Sequence, residues 1–234
     1  PPPTSEYNST HQMMTNPAKP MTLILASQSP RRRTMLGWLD LAFDTTTAPI
    51  DESPIDHETP LALAARLARR KAEAARAGEA SIRAILTADT VVDLDGRSLG
   101  KPANPEEARA MLRTLRNAPH TVHTCLALAA PDGGIRARCV TTEVRMRPYT
   151  EREIDRYVAT GDPLDKAGGY AIQHAGFHPV AAVDRCYANV VGLPFCGLAE
   201  LLRPLWDFDL ASMPALCLAN LGYPCPKPDP GGVR

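Results

Sequence analysis

Apolar positions along this chain repeat with two different periods. Leu23-Ile24-Leu25-Ala26 and Ala84–Val92 are short runs rich in β-forming residues, and Val122–Ala129, Arg136–Arg145 and Pro179–Asp184 read the same way, so each predicts a strand. Between the first two runs, Ala64, Leu67, Lys71, Ala74 and Ala75 follow helical spacing. Helix starts carry caps. Thr59 precedes Pro60, Asn104 precedes Pro105 with Glu107 behind it, and Thr150 precedes Glu153, so each start has an oxygen for the free amides of its first turn. Alternating strand and helix segments predict a mixed α/β protein, and no internal repeat interrupts the pattern.

The pattern also sets the expected boundaries. Residues 1–20 hold five prolines and little that can be buried, a composition that predicts a disordered leader, with Met21 as the natural start of the ordered chain. From Pro204 to Arg234 six prolines predict an irregular tail. The expected folded unit is 21–203.

Composition narrows the function. The 234 residues suffice for a sizeable core, and 26 basic residues balance 26 acidic ones, so no overall positive field marks nucleic acid as the partner. No apolar run approaches the roughly 20 residues that cross a bilayer, and no signal-peptide pattern occurs. The expectation is a soluble cytoplasmic protein. The six cysteines lack any C-x-x-C spacing and read as reduced thiols.

Four segments look like chemistry. Ser27-Gln28-Ser29-Pro30-Arg31-Arg32-Arg33 follows an apolar strand, with Ser29 suited to an N-cap and Pro30 to the first helical position. Arginines at the positive end of a helix dipole oppose the usual preference for acids there, so an anion in front of them, such as a phosphate, is the economical reading; a solvated basic turn is the plain one. Lys71 projects from the small apolar face of the next helix and must reach either a substrate phosphate or water. Asp89 interrupts the β-rich run Ala84–Val92. A carboxylate there needs a partner, which makes it the leading candidate for a metal ligand or a base acting on water. Asp95-Gly96 signals a turn that returns Lys101 towards the level of Asp89, where its charge would favour the ionised form. Gly168 and Gly169, in the run Gly161–Gln173, permit close backbone approach to a ligand, and the Gln173 amide suits a nucleobase edge. Val191-Gly192-Leu193-Pro194-Phe195 reads as a strand-to-helix corner with a structural role.

Together these segments resemble the Maf family of nucleotide pyrophosphatases across residues 21–203. The similarity is carried by Ser27-Gln28-Ser29-Pro30-Arg31-Arg32, Ala88-Asp89-Thr90-Val91-Val92, Gly100-Lys101-Pro102, Asp165-Lys166-Ala167-Gly168-Gly169-Tyr170-Ala171-Ile172-Gln173 and Asn189-Val190-Val191-Gly192-Leu193-Pro194. The resemblance implies an elongated mixed sheet flanked by helices, like that of inosine triphosphate pyrophosphatases, with the substrate in a cleft between two lobes. It also implies Asp89 as proton acceptor, Ser27, Arg31, Arg32, Lys71, Lys101 and Lys166 around the triphosphate, and Glu52 with Asp89 at a divalent metal, Mg²⁺ or Mn²⁺. Arg31, Thr90 and Gln173 match the branch acting on dTTP and UTP; the branch acting on 7-methyl-GTP carries tryptophan, glutamine and glutamate there. Arg70 and Arg185-Cys186 depart from the usual pattern. A homodimer is implied by the resemblance alone.

The expected activity is hydrolysis of a pyrimidine nucleoside triphosphate to its monophosphate and pyrophosphate. One rival is a nucleotide-binding regulator of cell division without significant turnover; a second is a phosphatase that releases orthophosphate. No G-x-x-x-x-G-K-[ST] supports a P-loop enzyme, and His120, His123, His174 and His178 do not form an H-E-x-x-H zinc helix.

Overall fold

The computed structural model describes residues 22–79 and 83–225. The expected leader, its boundary at Met21 and the last residues of the tail lie outside them.

One mixed sheet organises the chain, in the order β2-β1-β3-β5-β6-β7 with β4 paired to β3. The strands are β1 (Leu23–Ala26), β2 (Phe43–Thr46), β3 (Ala84–Leu94), β4 (Arg97–Leu99), β5 (Pro119–Ala129), β6 (Ile135–Met146) and β7 (Val180–Asp184). β1 runs parallel to β2 and β3, whereas the other pairs are antiparallel. All five expected strands are present. β2 and β4 were not anticipated: Phe43-Asp44-Thr45-Thr46 is exposed beyond its first residue, and three-residue β4 is exposed at Arg97 and Ser98, so neither shows an apolar run.

Helices cover both faces. α1 (Pro30–Gly37), α5 (Tyr187–Val191), α6 (Phe195–Leu202) and α7 (Met213–Leu221) pack with Leu23, Leu25, Leu86, Leu126 and Leu128. α2 (Pro60–Ala77) sits opposite, with Leu63, Leu67 and Ala72 against Ile24, Ile85, Val91 and Ala127. A third cluster joins α3 (Pro105–Leu115) and α4 (Glu151–Val158) to Val92, Val122 and Val144. Ser29, Thr59, Asn104 and Thr150 all cap their helices as expected, and Thr150 with Glu153 closes a full capping box.

Three expectations need correction. The segment after Pro204 is not irregular throughout. α7 folds back so that Met213 and Cys217 enter the core, because its apolar positions outweigh a Pro214 that sits harmlessly in the first turn. The corner at Val191–Phe195 joins two helices, α5 and α6, through Gly192 at φ +114°. Finally, Cys125 and Cys139 form a disulfide: their sequence separation of 14 hides the fact that they are register partners across the β5–β6 hairpin. Cys186, Cys196 and Cys217 are free thiols.

Candidate active site

The site lies where β3 lacks a neighbour on one side. β1 pairs with β3 as far as Leu25 with Leu86, and β4 begins only where Leu99 meets Val92. Between these pairings lie Asp89 and Thr90. The chain leaving β1 through Ser27-Gln28-Ser29 enters this gap, and the β3–β4 register, extended by two residues, brings Lys101 level with Thr90. Sheet breaks of this kind are where the ends of strands leave room for ligands.

Strand alternation sends Asp89 and Thr90 to opposite faces. Asp89 shares the α2 face with Ile85 and Val91. There Lys71 reaches it from α2, Nζ donating to Oδ1 at 2.5 Å, while the same ammonium pairs with Glu52 Oε1 at 2.7 Å. Lys71 therefore meets carboxylates rather than simply running out to water, and one of its three ammonium hydrogens is left for another acceptor. Asp89 is 7 % exposed. Burial raises its carboxyl above the usual range, against the pull of Lys71 and Arg32, and nearby Glu52 pushes the same way as burial. Cys125, one half of the disulfide, stands directly across the ladder from Asp89.

Thr90 faces α1 and α5. Arg32 donates from Nη2 to Thr90 Oγ1 at 2.8 Å and from Nε to the Gly192 carbonyl at 2.9 Å. Thr124 Oγ1 lies 2.9 Å from Thr90 Oγ1 and donates to the Asn189 carbonyl, so the Thr90 hydroxyl must donate to Thr124 while accepting from Arg32. Asn189 is fully buried and completes the chain: its side chain accepts from Thr124 N and donates to Val122 O and Thr142 Oγ1. Burial lowers the Arg32 pKa; Asp89 and Glu52 oppose that shift and Arg31 adds to it.

The remaining candidates fall into two groups. Ser27 Oγ accepts from Ser29 N, and Ser29 Oγ from Arg32 N, so these hydroxyls shape the turn that presents Arg31 and Arg32. The Tyr157 hydroxyl donates to Asp162 and accepts from Ala171 N, two residues before Gln173. Gln173 and Lys101 are exposed. The late loop is fastened beside Lys101 by Gly168 N donating to Gly100 O. Lys166 is bonded within its own loop. It is buried, and its ammonium donates to Asp162 O, Asp162 Oδ1 and Asp165 Oδ1, so all three hydrogens brace its own loop. Lys101 does not supply the cation beside Asp89; Lys71 does, because α2 lies on the face to which Asp89 points. Asn189 and Gly192 were quoted only as part of a motif, and nothing in their spacing exposed the bonds to Thr124 and Arg32.

The sequence profile described as Maf-like protein matches residues 22–205, which includes every group above. The chain belongs to the Maf-like protein family. Among relatives, a dTTP/UTP pyrophosphatase of Pelotomaculum thermopropionicum is 46% identical over 182 residues, covering 77% of this chain and 95% of the relative. A dTTP/UTP pyrophosphatase of Thermomicrobium roseum is 45% identical over 208 residues, 84% of this chain and 92% of that protein. One from Anaeromyxobacter dehalogenans is 47% identical over 184 residues, 77% and 92% of the two chains. A solved dITP/XTP pyrophosphatase from Mycobacterium abscessus superposes only loosely, with a TM-score of 0.36 and 15% identity over 55% of this chain and 76% of that one. The Maf-like match ends at residue 205, so α7, with Cys217, and the following Cys225 lie beyond it. Among the described residues no helix is long and apolar enough to cross a membrane.

Proposed function

We propose that this chain hydrolyses dTTP and UTP to the monophosphate and pyrophosphate. The observation that carries the reading is a buried Asp89 at a break in the sheet, with Lys71 approaching from one face and Arg32 from the other. Relatives named dTTP/UTP pyrophosphatase support the substrate pair.

In this reading Asp89 accepts a proton from the water that attacks the α-phosphorus. The new P–O bond forms, the bond to the β-phosphate bridge breaks, and pyrophosphate leaves with the electron pair. A carboxyl whose pKa is raised towards neutrality is a stronger base than an ordinary aspartate. Arg31, Lys101 and the free ammonium hydrogen of Lys71 meet the growing charge on the β- and γ-phosphates. Arg32 acts with two of its donors already committed to Thr90 and Gly192, so it contributes its charge from a fixed position. Thr90 contributes to substrate choice through that fixed guanidinium, and Gln173 offers an exposed amide to the base.

The donor set fits a divalent cation. Asp89 and Glu52 converge on one cationic position, which the Lys71 ammonium takes here, and two carboxylates with substrate oxygens are a usual Mg²⁺ environment. Bound there, Mg²⁺ or Mn²⁺ supplies charge neutralisation on the phosphate oxygens.

The test is a screen of nucleoside triphosphates with Mg²⁺ or Mn²⁺, detecting pyrophosphate and orthophosphate separately. Pyrophosphate from dTTP and UTP, and none from 7-methyl-GTP, is the expected result. Orthophosphate as the first product, or binding without turnover, overturns the assignment.

A further inference from the structure

The chain between α4 and Gln173 carries a polar network built around one hydroxyl. Tyr157, in the last turn of α4, is 1 % exposed; its ring stacks on Phe177 with centroids 4.4 Å apart and meets the His174 ring edge-on at 4.7 Å. Packing fixes the ring, and the ring fixes where the hydroxyl points. That hydroxyl donates to Asp162 Oδ2 at 2.7 Å and accepts from Ala171 N at 2.9 Å. Lys166 Nζ holds the other carboxylate oxygen of Asp162 at 2.8 Å. Burial pushes the Asp162 carboxyl up, but the bonds from Lys166 and Tyr157 more than offset it, so the group stays ionised and keeps accepting. With its one hydrogen committed to a carboxylate, the Tyr157 oxygen has only lone pairs to offer the Ala171 amide.

Ala171 connects this network to Gln173. Its N–H is taken by Tyr157, and its carbonyl accepts from His174 N at 3.2 Å, which closes the turn containing Ile172 and Gln173. Tyr170, one residue earlier, is tied to β5 by its hydroxyl, 2.7 Å from His120 Nε2. Ile172 packs against the core. The exposed Gln173 side chain therefore leaves a backbone that is held before and after it. A side-chain amide tells bases apart by where it places one donor and one acceptor, which requires its support to be held to within about 0.5 Å. On a loop, that precision has to come from neighbouring bonds.

We propose that Tyr157 is a specificity-positioning residue: through the Ala171 amide its hydroxyl sets the place from which Gln173 reads the base, and Asp162 with Lys166 holds that hydroxyl in turn. The inference rests on the reading of this chain as a pyrimidine nucleoside triphosphate pyrophosphatase in which Gln173 meets the base. Deleting the hydroxyl leaves the Ala171 N–H without its acceptor and lets the turn shift. The groups that meet the phosphates are not carried by this turn, and the Gly168 N to Gly100 O bond beside Lys101 lies ahead of Ala171. Base recognition and phosphate recognition should therefore separate.

The test compares wild type with Tyr157→Phe, Gln173→Ala and the double variant. Phenylalanine keeps the ring packing and removes only the hydroxyl. With UTP and Mg²⁺, KM in Tyr157→Phe should rise roughly 3–10-fold, the range for one lost hydrogen-bond anchor, while kcat at saturation changes by less than about twofold. Inhibition by inorganic tripolyphosphate, which has the phosphates without the base, should be unchanged, and it reports at the same time that the site is folded. In the Gln173→Ala background the loss of the hydroxyl should add little to KM, because the group it positions is gone. A KM for UTP that does not move, a parallel loss of UTP and tripolyphosphate affinity, or full additivity in the double variant overturns the proposal. Pyrophosphate release by the wild type is the separate check on the reaction itself. If the wild type binds UTP without turnover, the proposed reaction fails, and dissociation constants for UTP and tripolyphosphate in the same four proteins decide the role of Tyr157 by the same criteria.

Discussion

Lys71 and Asp89 form a close charge pair, Nζ to Oδ1 at 2.5 Å, across the packing of α2 on β3. The pair exists because two periodicities agree. Helical spacing puts Lys71 among the alanines of α2 that face the sheet, and strand alternation turns Asp89 to that same face. A buried carboxylate with one ammonium is only partly compensated, since burial still raises its pKa. That residual imbalance is what a general base needs.

Replacing Asp89 with asparagine should separate activity from stability. Loss of the base is expected to lower kcat by about 10²–10⁴-fold. The sign of the stability change follows from the raised folded pKa. Stability linked to Asp89 is full below its unfolded value of 3.8 and is lost as pH rises through the folded value, so at pH 7 the ionised group weakens the fold. Asp89→Asn should therefore melt no lower than wild type at pH 7, and the wild type should gain relative to it on acidification. Thermal scans from pH 7 down towards pH 4 measure this; a variant markedly less stable at pH 7 would mean that the Lys71 pairing outweighs burial.

Lys71→Met tests the pair from the other side. The lysine charge favours the carboxylate, so its removal should raise the Asp89 pKa further. The acid limb of the kcat/KM profile should then move to higher pH, in addition to any fall in the plateau from lost phosphate contact. A profile with lower plateau and unmoved limb would leave Lys71 as a phosphate ligand with no influence on the base.

Much of this was legible in the chain. Asp89 stood out because a carboxylate inside a β-rich run has to be accounted for, and Ser29-Pro30 marked the helix start that presents Arg31 and Arg32. What stayed hidden depends on tertiary neighbours. Spacing shows that Lys71 faces inward but not that two carboxylates wait there. Lys166 reads as a spare cation in a glycine loop, yet the turn Asp162–Asp165 folds its acceptors back on it. The disulfide and the α7 docking are likewise contacts between segments whose separation says nothing about proximity.

Asn189→Ala should be among the more damaging single changes outside the charged groups. It removes the side-chain bonds to Thr124 N, Val122 O and Thr142 Oγ1, and strands at least two buried backbone groups. A loss of roughly 3 kcal/mol is expected from unsatisfied buried polar groups of this kind. Urea denaturation gives the number directly. Since Thr124 links Asn189 to Thr90 and thence to Arg32, KM for the nucleotide should also rise at temperatures where the variant is folded.

Gly168→Ala probes how tightly the late loop must sit on β3. Gly168 holds φ +69°, and an added Cβ would stand 3.1 Å from Val92 Cγ2 with two further Val92 carbons at 3.3 Å. Left-handed backbone at an L-residue costs about 1–3 kcal/mol, and the overlap adds to that unless the loop lifts. Lifting would strain the Gly168 N to Gly100 O bond and move Lys101 with it. The variant should therefore lose both stability and nucleotide affinity. In the Gly168→Ala, Val92→Ala double variant the contacts with the two Val92 methyls are gone, while the 3.3 Å approach to the Cβ of residue 92 and the backbone strain remain. Stability then reflects the strain, the residual Cβ contact and the lost Val92 packing, but affinity should recover in part if loop displacement caused its loss. Affinity that stays low in the double variant would place the defect in the backbone conformation of the loop itself.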